Sequence, residues 1–321
     1  MITKMMNKKA QMPEFNWIFV IIVGAVILFL AVMFSGKLIK TSTYQQSAEL
    51  LPAFDVLLNP FSSVGNLVKT IRLQNEVIVE INCSRNNENL LGSEKIRTKS
   101  KGAFGKWSEF TDFPYAFYDK YVFADQLEGK TFYVFSKPFE MPFKIDEMIY
   151  MTYENYCFVN APADIEQELT AIELETLKVG ECSENDKRVC FGGATGCEIT
   201  VIGDDANYNT GHVEKTEKNV EKRLYFASKS LMYGAIFASS SNYNCNFARL
   251  MERLKQLTSI YKRKADTLTI KGCNMMAISG LIEKLGSKAN IVKGPGADKK
   301  TLYDAAQELE NLNVAITCPV F

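Results

Sequence analysis

Twenty consecutive residues without a charge, Phe15 to Phe34 (FNWIFVIIVGAVILFLAVMF), limit this chain more than any other feature. At a helical rise of ~1.5 Å per residue they cover ~30 Å, the thickness of a bilayer's hydrocarbon core. The stretch therefore predicts one membrane-spanning helix. A cleaved secretory signal has a shorter apolar run of about 7–15 residues followed by a small-residue cleavage site, whereas Ser35-Gly36-Lys37 follows here. Lys4, Lys8 and Lys9 precede the helix while Lys37 and Lys40 follow it, so the positive-inside bias places the amino terminus in the cytoplasm by a small margin.

Beyond residue 40 the chain carries a surplus of four acids, although the whole is balanced at 37 basic and 37 acidic residues. A nucleic-acid partner is disfavoured, because phosphate contacts call for a basic surplus. All eight cysteines (Cys83, Cys157, Cys182, Cys190, Cys197, Cys245, Cys273, Cys318) lie after the membrane helix. An even number suits up to four disulfides in an oxidising compartment, which puts the C-terminal domain outside the cytoplasmic membrane. No CxxC pair occurs and His212 is the one histidine, so neither a metal nor any other cofactor is implied. The sequon Asn82-Cys83-Ser84 is usable only outside the cell.

The predicted architecture is α+β: a basic leader (1–14), a membrane helix (15–34), a stalk and loop (35–66), and a head (67–321) with a β-rich first half, a helical second half and a subdivision near 205–225. Pro52 ends the stalk helix in this reading, with Pro60 breaking the pattern further. Val77, Val79, Ile81 and Cys83 alternate with polar residues and predict a half-buried strand. Lys95 to Lys106 reads as a basic loop, with a solvated face favoured over attraction to anionic headgroups or a polymer. Residues 120–135 read as two aromatic strands turning at Glu128-Gly129. Residues 148–152 and 156–160, a helix opened by Pro162, and 176–181 give a strand–helix–strand unit. Glycines 192, 193 and 196 stand before a strand, not a helix, so they predict a disulfide-tied turn in place of a nucleotide loop. From Tyr225 helices dominate. In the longest of them Phe247, Leu250, Met251, Leu254, Leu257 and Tyr261 form one stripe, with Arg249 on the outward basic side. Cys245 lies opposite that stripe, and Cys273 and Cys318 are its expected partners. The apolar tail ending at Phe321 predicts a docked terminus.

Before the membrane helix stands Lys8-Lys9-Ala10-Gln11-Met12-Pro13-Glu14-Phe15, which resembles the class III signal of archaeal type IV pilins and related surface proteins. The resemblance implies cleavage on the cytoplasmic side between Ala10 and Gln11, with the helix retained. It further implies that retained helices bundle into a filament core and that Glu14 helps set assembly by pairing with a neighbour's amino terminus. Here the acid is fourth after the implied cut, and alanine replaces the commoner glycine. In its VCFGG…GC, NYNCNFARLMERL and CPVF segments the head is also similar to uncharacterised membrane-anchored proteins of small-genome archaea, which implies no activity.

Three functions follow as expectations. The first is a membrane-anchored surface protein, a pilin-like structural or adhesion subunit that contacts membrane lipid and associates with itself or protein partners through the membrane helix. The second is a non-polymerising accessory subunit of a secretion, transport or envelope complex. The third and least favoured is an extracytoplasmic enzyme: no residue is assigned a catalytic role, although any histidine-based hydrolase must use His212, and glycosidase chemistry needs carboxyl pairs such as Asp112 with Asp119 or Asp204 with Asp205.

Overall fold

A computed structural model describes residues 14–63, 65–85, 90–102, 105–112, 114–193, 195–294, 296–297 and 299–321. In chain order the elements are α1 (Glu14–Ser63), β1 (Val68–Ser84), β2 (Ser93–Ser100), β3 (Tyr115–Phe117), β4 (Tyr121–Phe123), β5 (Leu127–Glu140), β6 (Lys144–Thr152) and β7 (Tyr156–Val159). Next come α2 (Ala163–Ala171), β8 (Leu177–Val179), β9 (Lys187–Phe191), β10 (Ile199–Gly203), β11 (Gly211–Glu217) and β12 (Val220–Phe226). Four helices close the chain: α3 (Lys229–Phe237), α4 (Ser240–Ile270), α5 (Met276–Val292) and α6 (Lys300–Ala315). The protein is mixed α+β, and its strands continue to Phe226 before the last four helices begin.

α1 is one helix of 50 residues with two kinds of surface. Trp17–Ser35 is long and apolar enough to cross a membrane and is fully exposed. Further along, Leu51, Phe54, Leu58 and Phe61 recur at three- and four-residue spacing and are buried, the last three at 0–1% exposure. The helix runs through Pro52 and Pro60 instead of ending at the first. Each proline removes one backbone bond, to the carbonyl of Ala48 or Val56. Both prolines and Val56 lie on the exposed side, where water can satisfy what is lost.

The first sheet has the order β3-β2-β1-β5-β6-β4. Its outermost strands β3 and β4 are separated in sequence only by Tyr118, Asp119 and Lys120, so the sheet must curl until its edges approach. Val77, Val79, Ile81, Ile96, Phe117, Val122, Phe132, Val134, Ile149 and Met151 line the inside of the curl around α1. Residues of opposite parity, Tyr121, Phe123, Phe135, Met148 and Tyr150, face the other core.

Two expectations fail within this sheet. Lys95 to Ser100 belongs to β2, whose register pairs Ile96 with Ile81 and Thr98 with Val79, and is not a loop. Its inward positions are Glu94, Ile96, Thr98 and Ser100, three of them polar, which hides the strand alternation. Nor is there a hairpin at Glu128-Gly129, because β5 passes straight through it. Gly129, with φ +153, instead lies opposite an irregularity in β1 between Arg72 and Val77.

The second sheet, β12-β11-β10-β9-β7-β8, is parallel between β8, β7, β9 and β10. The predicted strand–helix–strand unit is β7-α2-β8. β9 and β10 are parallel yet joined by a short return, made by Gly192, Gly193 and Gly196 with φ between +73 and +82 and tied by Cys190–Cys197. Between the sheets sits α3, buried from Leu231 to Phe237. Phe237 meets Phe135 and Tyr156 at ring distances of 5.4 and 4.8 Å. At Gly234 an added Cβ would lie 2.8 Å from Phe123, so glycine permits this approach. α4, α5 and α6 cover the shared core with the expected stripe. The C-terminal tail docks as predicted, with Val320 N–H donating to Asn313 Oδ1 at 2.6 Å and Phe321 against Phe143 and Tyr261.

Burying Leu51, Phe54, Leu58 and Phe61 is worth roughly 6–12 kcal/mol at about 1.5–3 kcal/mol each, as large as the net stability of a typical domain at about 5–15 kcal/mol. Leu58→Ala is expected to cost about 2–5 kcal/mol in denaturant unfolding of the detergent-solubilised protein. Val56→Ala, on the exposed side of the same helix, is expected to change it by less than about 0.5 kcal/mol.

Candidate functional site

Two buried polar arrangements hold the head together. The first lies where the curled sheet closes. Lys120, 2% exposed, sits between β3 and β4 and donates to Asp55 Oδ1 on α1 at 2.8 Å, while Tyr115 Oη donates to Asp55 Oδ2 at 3.2 Å. From α4, Arg249 reaches into the same seam. Its guanidinium donates to the carbonyls of Leu91 (2.6 Å), Lys120 (2.9 Å) and Tyr118 (3.2 Å) and to Asn246 Oδ1 (2.8 Å). Asn246 Nδ2 donates to Val122 O at 3.1 Å and to Glu94 Oε1, and Glu94 Oε2 accepts from Val122 N–H at 2.9 Å. An unpaired strand edge is thereby satisfied by side chains from β2 and α4, as buried backbone groups require. Burial pushes the Glu94 carboxyl up to about 7, with the Arg249 charge and the Asn246 bond opposing it. Burial likewise pushes Tyr121, whose ring lies 4.6 Å from the Arg249 guanidinium, up to about 12.

Sequence reasoning placed Arg249 outward, and the structure corrects this: its exposure is 0%. Asn242, Asn246 and Arg249 follow one another at helical spacing beside the apolar stripe, a polar face that a sheet with an open edge can use.

The second arrangement lines a cavity of about 370 Å³ where the two sheets meet α3, with Asp125, Tyr156, Lys187, Lys215, Glu217 and Phe237 on its walls. Lys215 Nζ donates to the last carbonyls of α3, those of Ala235 (2.9 Å), Ile236 (3.5 Å) and Ala238. Two residues along β11, Glu217 accepts from Ser240 N–H and Ser240 Oγ, both at 2.7 Å, at the start of α4. One strand thus supplies a cation to the negative end of α3 and an anion to the positive end of α4. Burial pushes the Lys215 amine down to about 8, against the pull of Glu217 and Asp125. Lys187 is paired with Glu154 at 2.7 Å and lies 5.6 Å over the Tyr156 ring. Of the charged groups lining this cavity, Lys215 and Glu217 are engaged in fastening helices, while Asp125 accepts from Gln126 N–H and Glu198 from Arg188 N–H, both at 2.8 Å.

The eight cysteines form four pairs: Cys83–Cys245, Cys157–Cys182, Cys190–Cys197 and Cys273–Cys318. Cys245 therefore joins Cys83 on β1, not Cys273 or Cys318, because the start of α4 lies over the end of β1 beside the Asn246 network. His212 is on β11, 3.4 Å from Glu214 and 5.5 Å from the Tyr225 ring. The acid pairs are not brought into a shared cleft: Asp112 accepts from Tyr44 Oη at 2.8 Å, Asp119 lies 3.4 Å from Lys120, and Asp205 caps its own turn through Asn207 and Asn209. Ala10 and Gln11 lie outside the described residues, and α1 opens at Glu14. Among the described residues no cluster of histidine, cysteine and acid side chains is arranged to hold a metal.

No family model, curated protein or solved structure matches the chain.

A buried carboxyl whose proton is held more tightly in the native state loses stability as pH rises. For Glu94 the window runs from its ordinary 4.5 through about 7, and the loss across it is roughly 3 kcal/mol. Glu94→Gln is expected to gain on the wild type by about that amount between pH 5 and pH 8, read as the difference between their thermal unfolding midpoints at each pH.

Proposed function

We propose that this chain is a single-pass membrane-anchored surface protein with its amino terminus inside and its disulfide-tied head outside, acting as a pilin-like structural or adhesion subunit. The observation that carries the reading is the continuity of α1. The same helix is apolar and exposed over Trp17–Ser35 and forms the centre of a sheet over Leu51–Phe61. A head built around the anchor's own helix cannot swivel on it, so packing of helices in or above the membrane fixes the orientation of every head. Pro52, Ala53, Val56 and Pro60 leave an exposed face on α1 within the head that suits packing against a second helix. Four cysteine pairs and no free thiol fit an oxidising exterior.

The same exposed face also suits a fixed partner, which is the accessory-subunit reading. Mass spectrometry of the N-terminal peptide from protein in its own membrane, together with shearing of whole cells, separates the two. A chain beginning at Gln11 and recovered in sheared filaments is the expected result. An intact leader, with the protein retained in detergent extracts in a complex of fixed stoichiometry, would replace the first reading with the second.

A further inference from the structure

β1 ends on Asn82, Cys83 and Ser84, the one Asn-x-Ser/Thr sequence of the chain whose middle residue is not proline. Such a sequence accepts a sugar only where its amide can be reached, and the geometry of the strand decides this. Successive residues of a strand point to opposite faces. Val77, Val79 and Ile81 face the core around α1, and Cys83, of the same parity, carries the bridge to Cys245 at the start of α4. Asn82 has the other parity and is exposed, as are Ser84 and Lys95, the register partner of Asn82 on β2. Bridge and amide thus occupy opposite faces of one strand, so closing the first does not cover the second.

No contact in the fold uses the amide. Among the described residues Asn82 makes no side-chain hydrogen bond, whereas the next pair on the same face is engaged, with Arg97 Nε donating to Glu80 Oε2 at 3.0 Å. β5 begins at Leu127, opposite Val79, so the pairing of β1 with β5 does not extend to Asn82. A bulky hydrated group on Nδ2 therefore projects into solvent and displaces no packed side chain. The order of the chain also leaves time for its attachment. Cys245 follows Cys83 by 162 residues, so the acceptor sequence is synthesised well before its bridge can close.

We propose that Asn82 is an N-glycosylation site of the head. This rests on the reading that places the head outside the cytoplasmic membrane, where the sequence is usable. The donor is an oligosaccharide carried through its first sugar carbon, C1, on a lipid phosphate, and the catalyst is a membrane oligosaccharyltransferase. Asn82 Nδ2 attacks C1. The N–C1 bond forms as the C1–O bond to the phosphate breaks, the lipid phosphate leaves with the bonding pair, and the amide gives up one proton to a base of the transferase. Ser84 supplies the hydroxyl that the transferase requires two residues after the acceptor.

The full chain is isolated from its own membranes, its free thiols are alkylated before reduction, and it is then reduced and cut after Arg72 and Arg85. Mass spectrometry of the peptide 73–85 is expected to show one glycan on Asn82 with its sugar fragments. Asn82→Gln and Ser84→Ala are each expected to lose the whole of the added mass, and Ser84→Thr to keep it, all with the four bridges formed because both positions are exposed. Added mass that persists in Ser84→Ala would overturn the assignment. An unmodified Asn82 in a chain whose eight cysteines are all bridged would overturn the glycosylation while leaving the head outside. An unmodified Asn82 together with free thiols would overturn both.

Discussion

Burial of one face of α1 inside the curled first sheet is the contact on which the other features depend. Leu51, Phe54, Leu58 and Phe61 fill the space that β1, β2, β5 and β6 enclose and form one core with their inward side chains. The opposite face of the same sheet then becomes one wall of the main core, shared with α3, α4 and the second sheet. The helix has two apolar stretches: Trp17–Ser35 is long and apolar enough to cross a membrane, and protein buries the apolar face of the second.

Closure around a helix leaves a seam, and a seam exposes backbone groups. Glu94, Asn246 and Arg249 resolve this by bonding the free carbonyls and amides directly, while the Lys120 amine pairs with Asp55 on α1. The Cys83–Cys245 pair lies beside them and joins residues 162 apart in sequence, so it constrains the unfolded chain more than the three shorter loops do. Lys215 and Glu217 play the corresponding part at the α3–α4 corner. Glu94, Arg249, Lys215 and Glu217 are thus placed at helix ends and an open edge, where backbone partners compensate their desolvation.

The apolar span, the strand–helix–strand unit, the stripe of α4 and the docked tail were legible from the sequence because each follows a local period or a capping rule. The path of α1 beyond Pro52 was not, since a proline rule considers the helix alone and not which side of it faces water. β2 escaped because Glu94, Thr98 and Ser100 occupy inward positions where alternation expects apolar residues. Arg249 escaped for a related reason: whether a helical arginine faces solvent or an open strand edge depends on a sheet closing far away in sequence. Cysteine positions fixed that pairing was feasible, while the choice of Cys83 for Cys245 required the packing of α4 over β1.

Hydrogen exchange of the full chain tests the central claim most directly. If α1 is the core of the sheet, the amides of Leu51, Phe54, Leu58 and Phe61 on its buried face exchange as slowly as those of Phe132 to Phe135 on β5, since both are exposed only when the head unfolds. Fast exchange at those four α1 amides while Phe132 to Phe135 stays protected would contradict the account, because the sheet would then be stable without the helix at its centre.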